Sequence, residues 1–211
     1  MESEKPRTLT FNLNNNPKYD SGLVCGGTLD VFVEPVTPVP HLYLFGAGHV
    51  SLSVYKVARM AGFAVHVVDD RDTYANRERF PEAEGIHADD FEQAMARLSP
   101  GENAYLVIVT RGHRDDMRVL RWAVDQPVRY IGMIGSQRKV LAIYKELEKD
   151  GVARDKLERA HAPMGLDIGA ITPEEIAVSI VAEMVGVRRK AQSGAAPMRV
   201  PQEKIARALK T

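Results

Sequence analysis

Between His41 and Arg71 the chain reads HLYLFGAGHVSLSVYKVARMAGFAVHVVDDR, and this stretch leaves few folds open. His41–Phe45 is a short apolar run ending in a glycine, the pattern of a buried parallel strand. Gly46-Ala47-Gly48 is a tight turn. From His49 to Ala61 the period becomes helical, with Val50, Val54, Val57, Ala58 and Ala61 on one face. Gly62 stops the helix, since a glycine takes the left-handed conformation without a side-chain penalty. Ala64–Val68 is a second apolar strand, and Asp69-Asp70-Arg71 follows. The stretch predicts one β-α-β unit with an acidic end.

Such a unit can bind a nucleotide-like ligand. Gly46 permits a sharp turn, and Gly48 lets backbone N–H groups approach a phosphate. The helix start adds unpaired donors and the positive end of its dipole. The third small position is Ser51, so the motif is G-x-G-x-x-S rather than the usual glycine triplet. An acid follows about twenty residues on, where a ribose hydroxyl would sit. Asp69 is the stronger of the two acids for that role because it closes the strand, with Asp70 beside it. The same glycines could serve packing alone.

The rest of the chain extends this pattern. Ile86–Ala88 is a short strand, and Asp90–Leu98 a short helix capped by Asp89 or Asp90. Ala104–Val109 is an unbroken apolar strand. After it, Thr110–Asp116 opens a helix to about Asp125, with Met117, Leu120 and Val124 inward. Gly112-His113 echoes Gly48-His49 at an equivalent junction, and His113 could contact an anion, act as a base, bind a metal or merely cap its helix. Val128–Ile134 is a strand. Gly135 and Ser136 then start a helix that carries Arg138 and Lys139, either an anion cradle or two solvated cations. A last junction holds Gly165, Asp167 and Gly169, where Asp167 is a ligand-facing acid or a turn residue. Thr172-Pro173-Glu174-Glu175 is a complete helix start with a capping box. That helix reaches about Val187, with Ile176, Ile180, Met184 and Val187 inward. The fold class is α/β, a Rossmann-like, mostly parallel sheet with helices on both faces. Its four glycine-rich junctions converge on one edge.

Outside 41–190 the chain changes character. Thr8–Leu13 and Thr28–Glu34 alternate apolar and polar residues, predicting a small hairpin with one buried face. Pro35, Pro38 and Pro40 form a stiff linker, so 1–40 is an N-terminal β segment. Residues 191–211 form a tail, in which Pro201–Lys210 could be a short helix, either tethered or lying on a partner. Lysine plus arginine equal aspartate plus glutamate, 28 to 28, so no basic excess points to nucleic acid or an anionic membrane. No apolar leader or bilayer-length run occurs in the 211 residues, which makes a cytoplasmic protein the expectation. Cys25 is the only cysteine, which excludes an intrachain disulfide and any multi-cysteine metal site. Set before two glycines, it is either an accessible thiol near a ligand or a small buried residue. No Ser-His-Asp order, zinc helix motif or P-loop lysine is present, so the chemistry is weighted toward binding.

The motifs GLVCGGTLDVFVEP, FGAGHVS, VVDDR, VTRGHRDD, IGMIGSQRK and GLDIGAITPEEIAVSIVAE occur in one order. Together they resemble the XdhC/CoxI family, accessory proteins of xanthine dehydrogenase and related molybdenum hydroxylases. The resemblance covers about residues 20 to 190 and marks an N-terminally short member. It implies a C-terminal Rossmann domain behind a smaller N-terminal domain, of which 1–40 would be the remnant. It also implies binding of the molybdenum cofactor, as molybdopterin or its nucleotide form. Support of cofactor sulfuration with a cysteine desulfurase, and insertion into an apo-hydroxylase of the xanthine or carbon monoxide dehydrogenase type, would follow. A maturation factor of this kind is a cofactor binder rather than an enzyme, and a homo-oligomer is expected. By motif position Cys25 would lie at the metal end of the cofactor. Gly46, Gly48, His49, Asp69, Asp70, Gly112, His113, Gly135, Ser136, Arg138, Gly165, Asp167 and Gly169 would make its pocket. An NAD-dependent oxidoreductase and a nucleotide-sensing module without turnover remain the alternatives.

Overall fold

The computed structural model describes residues 6–12, 27–36, 38–190 and 197–209. The chain divides into two compact units, 1–38 and 39–211. In the first, β1 (Arg7–Asn12) and β2 (Thr28–Val33) pair antiparallel, with Leu9 opposite Val31 and Phe11 opposite Leu29. The register keeps the apolar alternation on one face, as expected. That face is not buried, however: Phe11 and Leu29 are each 48% exposed. A two-stranded ribbon has no second layer of its own to cover either side.

The second unit is built on five parallel strands in the order β5-β4-β3-β6-β7. These are β3 (His41–Phe45), β4 (Ala64–Val68), β5 (Gly85–His87), β6 (Ala104–Ile108) and β7 (Tyr130–Met133). The continuous apolar runs of β3, β4 and β6 follow from burial on both faces. On one face, Leu42, Leu44, Val65, Val67 and Val107 pack with Val54 and Ala58 of α1 (His49–Met60). Ala177, Ile180 and Met184 of α6 (Pro173–Arg189) complete that layer. On the other face, Phe45, Val68, Leu106, Ile108 and Met133 meet α2 (Phe91–Arg97), α3 (His113–Ala123) and α4 (Gln137–Lys149). A short α5 (Arg154–Glu158) adds Leu157 to this layer.

Helix limits match the sequence signals where those are local. Gly62 adopts φ +81°, and the Gly62 and Phe63 amides donate to the Arg59 and Ala58 carbonyls. Thr172 and Glu175 form the full capping box. Two inward stripes differ from expectation. On α3 the buried positions are Asp116, Val119, Leu120 and Ala123, while Met117 is only partly buried. Asp116 takes an inward place because Thr110 and Lys139 pair with it there. On α6, Ser179 and Glu183 are buried among the apolar residues, and Ile176 and Val187 sit at the margin. The tail forms its expected short helix, and that helix is tethered. Helix α7 (Gln202–Ala208) packs on α4, with Val200 and Ile205 in the core, so it belongs to this unit. Among the described residues, no helix is long and apolar enough to cross a membrane.

Candidate functional site

The strand order reverses between β3 and β6, and ligands of open α/β sheets bind beyond the carboxyl ends of strands at such a point. Gly46 sits on that reversal with φ +106°. Its N–H donates to Val68 O at 2.7 Å, and a Cβ here would collide with the Val109 carbonyl. This glycine therefore brings two strand ends together. Gly48 is different. Its φ of −72° and ψ of −168° suit any residue, and a Cβ would meet nothing within 4 Å. Its missing side chain leaves open space beside the start of α1.

The helix starts around this edge are not alike. Helix α1 begins at Gly48 and α3 at Gly112, neither with a capping side chain. The α4 start is capped by Ser136, whose Oγ accepts from Lys139 N at 3.2 Å, and the α6 start by Thr172. The free N–H groups of α1 and α3 thus flank the reversal, with His49 exposed beside them. Ser51, in the first turn of α1, is fully buried, and its Oγ makes no hydrogen bond among the described residues.

The two acids after β4 have separate roles. Asp69 is 2% exposed. Its Oδ2 accepts from Ala47 N at 2.7 Å and Arg71 Nη2 at 2.8 Å; its Oδ1 accepts from Arg71 N at 3.1 Å and Nε at 2.8 Å. A carboxylate offers about four lone-pair sites, and all are taken within the chain. Burial alone would raise its pKa, but the Arg71 and Ala47 hydrogen bonds outweigh it and hold the carboxyl below its ordinary value. Asp69 therefore fastens the glycine turn to β4 and has no acceptor left for a ribose hydroxyl. Asp70 is the accessible acid, and its Oδ2 accepts from Arg111 Nη2 at 2.6 Å. Arg71 also stacks on Tyr74 at 3.9 Å from the ring centroid, with Arg79 on the same ring at 4.9 Å. Arg79 Nη1 donates to Ala47 O at 2.8 Å.

The remaining predicted residues divide between ligand-accessible and structural positions. His113 is half exposed, with Nε2 3.8 Å from Glu146. Lys139 is no solvated cation: it pairs with the buried Asp116, and its stem lies where a Gly135 Cβ would be, 3.0 Å from Cδ. Arg138 is exposed and makes no ion pair among the described residues. Segment 161–164 runs parallel beside β7, with His161 N donating to Ile131 O at 2.8 Å and Met164 N to Met133 O at 3.1 Å. The loop with Gly165, Asp167 and Gly169 therefore leaves from the same edge of the sheet. It returns toward α1, where Ser53 Oγ donates to Glu174 at 3.2 Å. Gly165 is a packing residue, since a Cβ would lie 2.5 Å from Ser179 Oγ. Asp167 and Gly169 are exposed. Cys25 lies outside the described residues.

One cluster was not foreseen. Glu183, 4% exposed, accepts from Tyr130 Oη at 2.6 Å, Gly165 N at 2.9 Å and His161 Nδ1 at 3.0 Å. Burial pushes this carboxyl up, but those hydrogen bonds prevail and leave it below its usual range. The cluster ties α6 to β7 and to the root of the last loop. Glutamate at an apolar helix position was its only trace in the sequence. Among the described residues, no group of three His, Cys, Asp or Glu side chains could hold a metal.

Residues 42–184 match the XdhC Rossmann domain family. The chain is 34% identical over 195 residues to the Escherichia coli K12 protein YqeB, described as uncharacterized, covering 92% of this chain and 36% of that one. It is 30% identical over 163 residues to a Bacillus subtilis 168 protein named as a probable xanthine dehydrogenase component, covering 77% of this chain and 47% of the relative. A crystal structure of a xanthine dehydrogenase from Bacillus halodurans superposes with a TM-score of 0.66 at 26% identity, over 77% of this chain and 47% of that one. The chain thus spans less than half the length of each of these relatives.

Proposed function

The chain belongs to the XdhC family, and from that premise we propose that it is an accessory protein of a molybdenum hydroxylase of the xanthine dehydrogenase type. In this reading the crevice between β3 and β6 holds the molybdenum cofactor by its phosphate end. The cofactor is cargo, sulfurated by a cysteine desulfurase and then passed to the apo-hydroxylase. Two of the relatives carry xanthine dehydrogenase in their names, which supports that choice of client.

The observation that carries the proposal is the pair of uncapped helix starts at the strand reversal. Free N–H groups at the positive ends of two helices suit a phosphate or diphosphate. The empty space at Gly48 and the unbonded Oγ of buried Ser51 fit the same ligand end. The amides from Gly48 onward and from His113 onward would hold the phosphate, with Arg138 as the exposed cation of the next junction. Asp69 argues against NAD, because the ribose diol would find no free acceptor there. Cys25 would approach the metal end.

The test is cofactor content. The protein is produced in a host that makes the molybdenum cofactor, and molybdenum and oxidised pterin are measured per mole of chain. Wild type should carry both near stoichiometry. Gly48→Asp, which places a carboxylate in the open space, should lower both at least tenfold. Wild type that holds neither, even after cofactor is added back, overturns the proposal. Cys25→Ser should weaken retention or sulfuration of the cofactor while leaving the fold intact.

A further inference from the structure

Two acid–arginine pairs close the end of β4, and they are built differently. Asp69–Arg71 is bidentate, with the carboxylate 2% exposed, and it also carries two backbone hydrogen bonds. Asp70–Arg111 is a single contact at 2.6 Å, with the side chains 30% and 50% exposed. The second pair also crosses the sheet. Asp70 follows β4, Arg111 follows β6, and β3 lies between those strands. Adjacent strands are about 4.8 Å apart, so the pair bridges about 10 Å over the Gly46–Gly48 turn. It spans the mouth of the crevice.

We propose that Arg111 is a phosphate-binding side chain, held across the mouth by Asp70 and transferred to the ligand's phosphate on entry. This rests on the crevice reading given above. The backbone at Arg111 is already anchored. Thr110 N and Oγ1 donate to the buried Asp116 at 3.2 and 2.6 Å, and Thr110 Oγ1 lies 3.0 Å from Gly112 O. Only the Arg111 side chain has to move. It stands directly before the uncapped start of α3, so a phosphate on those amides is within reach of its guanidinium. The exchange is favourable on general grounds. An exposed, single-contact ion pair contributes little, whereas guanidinium and phosphate bind as a fork to two oxygens. Nor is Asp70 stranded when Arg111 leaves, because Arg71 Nε lies 3.9 Å from its Oδ1. The ligand class is a phosphomonoester or diphosphate, with the sugar or pterin left to other contacts.

The proposal has a sign that a structural clasp does not share. If Asp70 competes with the ligand for Arg111, removing its charge frees the arginine. Calorimetric titration with pyrophosphate and with ADP at low salt, and with adenosine as the phosphate-free control, measures this. Asp70→Asn should bind pyrophosphate and ADP at least threefold more tightly than wild type. Arg111→Ala should bind them at least tenfold more weakly, with adenosine unchanged. The double variant should match Arg111→Ala, because Asp70 acts through Arg111. Weaker binding by Asp70→Asn overturns the proposal. So does an equal gain from Asp70→Asn with and without Arg111, which would mark simple charge removal. Phosphate binding by wild type that Arg111→Ala leaves intact overturns this proposal alone. Absence of binding in both wild type and Asp70→Asn overturns it together with the crevice reading.

Discussion

Helices α1 and α3 stand at the same edge of the sheet as α4 and α6, yet their first turns are written in opposite chemistry. Ser136 and Thr172 satisfy backbone donors of α4 and α6 with side-chain oxygens. Gly48 and Gly112 leave those of α1 and α3 open. A capping oxygen stabilises a helix by about 1 kcal/mol relative to a residue that cannot cap. The chain takes that gain at the two outer junctions and forgoes it at the two that flank the strand reversal. The difference teaches that the glycines are of two kinds. Gly46 is required by the fold, whereas Gly48 and Gly112 leave room at a crevice the fold has already formed.

The sharpest way to break this distinction is at Gly46. Gly46→Ala puts a Cβ against the Val109 backbone in a left-handed conformation, and no flexible side chain can yield. A loss of about 3 kcal/mol or more is expected in urea unfolding. Gly62→Ala shares a positive φ of +81° but meets open space, so it should lose only about 1 kcal/mol. Similar losses at the two positions would refute the packing role of Gly46.

A titrating group in the middle of β4 sets the conditions for comparing them. His66 lies among His41, whose Nδ1 is 3.0 Å from its Nε2, His87 and Tyr43. Burial, then the charges of His41 and His87, push its pKa down to about 4, against a smaller opposing pull from Glu84. The unfolded chain therefore takes up this proton first as pH falls. The stability that neutral His66 contributes is complete well above pH 6.5, declines through that value toward pH 4 and levels off below it, and His87, whose pKa burial also lowers, adds a dependence of the same sign. The loss should be on the order of 2 kcal/mol after allowance for partial exposure. Unfolding midpoints at pH 7.5 and 4.5 measure it, and His66→Gln should reduce the dependence to the part that His87 contributes. An unchanged slope in that variant would assign the dependence elsewhere.

Above pH 7 the caps themselves can be compared. Thr172→Ala should lose about 1 kcal/mol, because the capping box goes with it. Gly48→Asp should do the reverse and gain a few tenths of a kcal/mol, since its backbone angles suit aspartate and the new carboxylate can cap α1. Thermal unfolding of both variants reads the two signs. Destabilisation by Gly48→Asp would mean that the glycine is structural after all.

Parts of the site could be read directly from the chain. The β-α-β unit, the stop at Gly62 and the capping box at Thr172 depend on residues within a few positions of one another, and the structure has them where the pattern puts them. The crevice was legible as glycine-rich junctions after apolar strands. Which polar residues remain free to face a ligand was not. Asp69 and Asp70 are neighbours of the same type, but one is consumed by Ala47 and Arg71 and the other meets Arg111. Arg138 and Lys139 are likewise adjacent, yet only Lys139 is drawn to a buried aspartate.

Hydrophobic period, turn residues and caps are short-range effects, and through them the sequence alone determined most of the elements, their limits to within about two residues, and the α/β class. Strand order, the place of α7 in the core, the Tyr130–Glu183–His161 cluster and the division of labour between Asp69 and Asp70 came only with the tertiary structure. Each depends on groups far apart in the chain, and whether a charge is buried, paired or open to a ligand is decided by what the folded chain sets beside it.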